Sequence, residues 1–179
     1  MKKFLELLDR SDRDYEIQDG MVMVRDIFMF DKLAVKHISI PENTDFEFGL
    51  ICHDSDIEIQ LPENLKVACI LDLTNTNVTR LPSNLTVHDY CSVYLDAHKI
   101  ENVSYCDDCG ASNRQIFAFW ANNDFLIAAG CFAGTYSEFA DAVDRKYYDY
   151  GGAEYKRQAQ NCISELAEKL GKPDPFKNQ

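Results

Sequence analysis

Between residues 28 and 100 the chain repeats one short pattern four times: apolar, any, apolar, two spacers, a variable position, any, apolar. The four instances are Phe28-Phe30-Leu33-Val35, Leu50-Cys52-Ser55-Ile57, Leu71-Leu73-Thr76-Val78 and Val93-Leu95-His98-Ile100, and their starts are 22, 21 and 22 residues apart. A fixed period of this length means stacked units, each burying its apolar edge against the next. Within a unit, the alternating pair, such as Leu71 and Leu73, predicts a short strand with one face inward. Stacked in constant register, these strands form a parallel sheet with one strand per repeat. Pro41, Pro62 and Pro82 mark the turn side of each unit, because proline cannot donate to a ladder. The unit that begins at Leu81 carries two extra residues before its strand, so a bulge is expected around residues 88–92.

The predicted organisation is an α/β fold: a short leucine-rich-repeat-like solenoid over residues 25–103, an N-terminal helix and hairpin cap over 1–24, and a C-terminal β-hairpin with two helices over 104–179. Residues 2–9 read as a helix, and Asp19-Gly20 between Tyr15 and Val24 is a preferred hairpin turn pair. After Val103, residues 114–120 and 125–132 read as two strands. The first is expected to add a fifth strand to the repeat sheet and the second to close its edge. Thr135 and Glu138 match a capping box. Phe139, Ala142, Val143 and Tyr147 then share one helix face. Tyr155, Ala159, Cys162, Ile163, Leu166, Ala167 and Leu170 stripe a second helix, stopped by Gly171 and Pro173. The pair is expected to pack over the C-terminal end of the repeat sheet.

The motif Leu61-Pro62…Leu65…Leu71-x-Leu73-x-x-Thr76-x-Val78-x-x-Leu81-Pro82 resembles the short leucine-rich repeat of bacterial effector proteins. It also resembles repeat-bearing proteins of unknown role from bacteriophages and prophages, as does the tail at residues 127–147. The resemblance covers roughly residues 24–103. It departs from the family where asparagine is usual, since Leu33, Ser55, Thr76 and His98 stand there and leave no asparagine ladder. Such repeats imply protein binding rather than catalysis, and a phage accessory factor that inhibits a host defence protein fits that implication.

The formal net charge is −12, with −7 on residues 1–60, −4 on 61–134 and −1 on 135–179. That balance argues against direct nucleic-acid binding, which needs Lys and Arg for phosphates, and would complement a basic protein partner. An acidic mimic of nucleic acid that blocks a DNA-binding or nuclease enzyme is an alternative. No apolar run is long enough to span a membrane, the N-terminus lacks a signal-peptide core, and seven cysteines outside any disulfide framework fit a cytoplasmic setting.

The expected binding surface is the outward side of the repeat strands. Met29, Ile51, Asp72 and Tyr94 form one column there, with Asp31, His53, Thr74 and Asp96 beside it, mixing aromatic, apolar and acidic groups as protein interfaces do. No catalytic residue, cofactor or established metal ligand is assigned. Cys106 and Cys109 are a candidate half of a zinc site or redox couple and underlie a third reading, a metal-dependent enzyme. Cys91 or His98 would have to supply a further ligand. The acids between the two cysteines raise their pKa values by like-charge repulsion. His53-Asp54 and His88-Asp89 are adjacent, but strand neighbours point to opposite faces, so neither is read as a dyad. Asp54, Asp56 and Glu58 at period two read as a solvated outer face. Tyr148 and Tyr150 are a second possible contact patch, with Tyr147 in the core.

Overall fold

The computed structural model describes residues 1–29, 35–110, 114–147 and 151–177. Helix α1 (Lys2–Arg10) is followed by β1 (Tyr15–Gln18) and β2 (Met21–Val24), an antiparallel hairpin. Asp19 and Gly20 both take positive φ, as a two-residue turn matched to strand twist requires. The chain then coils. The first rung adds β3 (Phe28–Met29) and β4 (His37–Ser39). The second has β5 (Thr44–Phe46), β6 (Leu50–Ile51) and β7 (Glu58–Gln60). The third has β8 (Lys66–Val67) and β9 (Ile70–Asp72), and the fourth β10 (Thr86–Val87) and β11 (Ser92–Tyr94).

Two parallel ladders run the length of the coil, β2-β5-β8-β10 and β3-β6-β9-β11, while β4 and β7 form a third on the first two rungs. The expected single sheet with one strand per repeat is therefore corrected: every rung supplies a strand to two ladders. The strand missed in each unit follows the proline. Pro41, Pro62 and Pro82 stay outside the strands, as expected, but their buried corners lead directly into β5, β8 and β10.

Inward side chains stack in columns. Val24, Phe46, Val67 and Val87 align on one ladder, and Phe28, Leu50, Leu71 and Val93 on the other; all are buried. At the variable position, buried Thr76 donates from its hydroxyl to the Leu73 carbonyl at 2.8 Å, so the corner closes without an orphaned polar group. The fourth rung breaks register. Ala97 takes the inward place in a 3₁₀ turn, Ala97–Lys99, and His98 faces solvent as a turn residue. Leu33 lies outside the described residues. An asparagine stack exists at a different corner: Asn84 donates from Nδ2 to Asn64 Oδ1 at 3.3 Å, just after the prolines.

Gly49 at the corner between the two long ladders has φ +136°, and a Cβ there would lie 2.5 Å from Ile70 Cγ2. The corresponding corner of the fourth rung holds the two extra residues. They form the expected protrusion, a turn closed by the Cys91 amide donating to the His88 carbonyl at 3.1 Å, with Tyr90 95% exposed at its tip.

The N-terminal end is closed by α1, whose Phe4 ring meets Phe28 and Phe46 edge-on at centroid distances of 5.7 and 6.4 Å. The C-terminal end is closed by a four-stranded antiparallel meander of β12 (Val103–Cys109), β13 (Arg114–Ala121), β14 (Asp124–Ala129) and β15 (Phe132–Thr135). The expectation of a hairpin whose first strand extends the repeat sheet is corrected: β13 pairs antiparallel with β12 and β14. Its near-continuous apolar sequence has a physical reason, since both faces are buried. Phe117, Phe119, Ala121, Leu126 and Ala128 join the solenoid core. Ile116, Ala118, Phe125, Ile127 and Ala129 meet a second core built with α2 (Tyr136–Lys146) and α3 (Gly152–Leu170). The Thr135–Glu138 capping box forms, and the α3 stripe is buried from Tyr155 to Ala167. Tyr147 is half-buried against Tyr155.

The solenoid edge is closed by a side chain. Asn122, in the β13–β14 turn, accepts the Val87 amide at 2.9 Å and donates to the Val87 carbonyl at 2.7 Å, imitating a neighbouring strand. Asn122→Ala leaves both groups of β10 open. The expected result is a stability loss of about 1–3 kcal/mol and concentration-dependent self-association through the freed edge. Thermal denaturation and light scattering measure both; an unchanged Tm and a monodisperse sample would overturn the role.

Candidate functional site

The outward column predicted from the repeat exists as a column. Met29 pairs with Ile51, Ile51 with Asp72, and Asp72 with Tyr94 across successive parallel strands. Each of these side chains is half-buried, held against its neighbours at the ladder spacing. The two C-terminal helices do not lie on this face. They pack on the antiparallel sheet, which corrects the expected placement over the repeat sheet. Asp31 lies outside the described residues, as do Tyr148 and Tyr150.

The adjacent row, His53, Thr74 and Asp96, is half-buried and tied into a hydrogen-bonded network at the next corner. Asp72 Oδ1 accepts from the Thr74 amide at 3.0 Å and from its hydroxyl at 2.7 Å, so Asp72 is oriented by its own rung. Asn75 links three rungs: its Nδ2 donates to Asp54 Oδ1 at 2.7 Å and its amide donates to Asp96 Oδ2 at 3.0 Å. Lys99 Nζ also donates to Asp96 Oδ2, at 2.7 Å. The Asn75 amide and then the His53 imidazole hold the Asp54 carboxyl below its usual range. Burial works to raise the Asp96 carboxyl, but the Lys99 ammonium and the Asn75 amide outweigh it and hold the group low.

One reading of these residues changes. His53 and Asp54 do meet, with Nδ1 to Oδ2 at 3.1 Å, because Asp54 sits in a turn at φ 54° rather than in a strand. Asp54 faces solvent, as do Asp56 and Glu58, in line with the expected outer face. The network itself escaped the sequence reading, although its signal was present: Asp54, Asn75 and Asp96 recur every 21 residues.

A cleft of about 550 Å³ lies between the protruding fourth-rung turn and the β15–α2 junction, lined by Tyr90, Asn122, Phe132, Asp141 and Arg145 among others. Nothing in the repeat pattern pointed to it, since its two walls come from units distant in sequence.

The cysteine pair sits on β12. Cys109 is buried and Cys106 half-buried, both against the helix-facing core. Burial, followed by the Cys106 thiol, pushes the Cys109 thiol far up, and Asp107 adds to the shift. Cys91 is buried beside the solenoid core, with its thiol pushed up to about 12 chiefly by burial. His98 is an exposed turn residue. Among the described residues, no group of three or more His, Cys, Asp or Glu side chains is placed to hold a metal ion. No described helix is long and apolar enough to cross a membrane. Compared with known protein families, characterised proteins and solved structures, the chain matches none.

Proposed function

We infer that the protein is a non-enzymatic protein-binding module that engages its partner through the face formed by β3, β6, β9 and β11. The observation that carries this reading is the Met29-Ile51-Asp72-Tyr94 column. Four rungs in register present two apolar anchors, an oriented carboxylate and a tyrosine along one line. Rigid backbone ladders hold the column, so little conformational entropy is lost when a partner docks. Tyrosine is a frequent energetic anchor at such surfaces, and a carboxylate already hydrogen-bonded in place selects a cationic group opposite it. The net charge of −12 favours a partner with a basic surface and speeds its approach at low salt. The narrower reading, a phage-encoded factor that inhibits a host defence protein, is supported by the repeat resemblance alone.

Affinity capture from bacterial lysate, comparing wild type with the Asp72→Ala/Tyr94→Ala double variant, tests the face. The expected result is a discrete partner whose affinity for the variant falls by about 30-fold or more, the effect of truncating a hot spot. Equal recovery of that partner by both proteins, with the variant's fold intact by circular dichroism, would exclude this surface.

A further inference from the structure

Residues three apart on a regular strand point to opposite faces, yet Cys106 and Cys109 of β12 both pack on the helix-facing side of the meander. A bulge is the cause. Cys106 pairs with Ile116 and Cys109 with Arg114, so β12 spends three steps where β13 spends two. Asp108 absorbs the extra residue at φ 54°. The Cys109 thiol folds back to the Cys106 carbonyl at 3.3 Å, and both thiols approach the same Asp107 carbonyl oxygen, Cys106 Sγ at 3.4 Å and Cys109 Sγ at 3.5 Å. The loop is held in this shape from outside: Gln115 Nε2 donates to Asp107 Oδ1 at 2.7 Å, and the Gly110 amide donates to Gln158 Oε1 at 3.3 Å. Cys162 of α3 belongs to the same core.

We propose that Cys106 and Cys109 are a modification site: a reversible disulfide that forms across the β12 bulge when the protein meets a low-molecular-weight disulfide oxidant. The half-buried Cys106 loses its proton and attacks one sulfur of the oxidant, releasing one small thiolate and leaving a mixed disulfide. Cys109 then loses its proton and attacks the Cys106 sulfur, releasing the second small thiolate. The two protons lost re-protonate the two leaving thiolates. The protein gains one S–S bond, and one oxidant molecule is reduced to two thiols. Burial disfavours the Cys109 thiolate, so the second step is the slower one and the pair suits a slow regulatory closure, not rapid catalytic exchange. The bond ties the bulge in the closed shape that Gln115 and Gln158 already favour.

The test uses the full chain with oxidised glutathione as the probe, followed by alkylation and tryptic digestion. Peptide 100–114 contains both cysteines, whereas Cys162 falls in peptide 158–169, so the two pairings separate by mass. The expected product is peptide 100–114 two hydrogens lighter and unalkylated, restored by dithiothreitol. Cys106→Ser, at a half-exposed position, is expected to abolish it with the fold retained; Cys162→Ser is expected to leave it unchanged. A cross-link between the two peptides, or glutathione adducts confined to the exposed Cys69 and Cys131, would overturn the proposal. Failure here leaves the protein-binding face untouched, because the two sites share no residue.

Discussion

Phe46→Ala is expected to destabilise the protein by about 3–5 kcal/mol, the range for deleting a fully buried phenylalanine. Phe46 is 0% exposed and belongs to the central column of the solenoid. Its ring stacks on Phe28 at a centroid distance of 6.0 Å and receives the edge of Phe4 from α1. Truncation therefore removes more than apolar area. It leaves a cavity that the hydrogen-bonded rungs on either side cannot collapse to fill, and it loosens the seat of the N-terminal helix. Equilibrium denaturation in urea measures the loss. Phe48→Ala, two residues away but 51% exposed, is the matched control, with an expected change within about 0.5 kcal/mol. Similar losses at both positions would mean that the stacked aromatic core is not what holds the first two rungs together.

Asn102→Ala is expected to cost about 2–4 kcal/mol, since two backbone groups lose their partners in a site closed to water. Asn102 is 7% exposed. Its Oδ1 accepts the Leu81 amide at 2.8 Å and its Nδ2 donates to the Leu81 carbonyl at 2.9 Å. The amide thereby completes the third face of the coil where no strand pairs with that corner. Asn102→Leu separates pairing from packing. It restores most of the volume but neither hydrogen bond, so it is expected to be as destabilising as alanine. Recovery of wild-type stability by leucine would assign the residue a packing role instead.

The inward columns were legible before any coordinate was known because burial imposes a simple rule: alternate residues of a strand must be apolar, and the rule recurs once per rung. Phe28, Leu50, Leu71 and Val93 satisfy it, and their outward neighbours followed by elimination. The capping box at Thr135 and the α3 stripe were legible for the same reason, since each is a local pattern on one element. Reading one strand per unit missed β5, β8 and β10, which begin within four residues of Pro41, Pro62 and Pro82. Proline was read as marking the turn side of the unit, and the chain re-enters a ladder directly after it.

The remaining features required the fold. Asn122 and Val87 are 35 residues apart, and Asn102 and Leu81 are 21 apart; an asparagine that completes a ladder looks the same in sequence as one that faces water. The second ladder, the cleft beside Tyr90 and the shared face of Cys106 and Cys109 arise in the same way. Each depends on where a corner or a bulge redirects the chain, and that direction is set by contacts between rungs and layers. Sequence alone determined the period, the inward columns and the Met29-Ile51-Asp72-Tyr94 line. Tertiary structure decided how many ladders the period builds, what closes their ends, and that the helices pack on the meander and not on that line, because apolar periodicity reports that a side chain is buried and not what buries it.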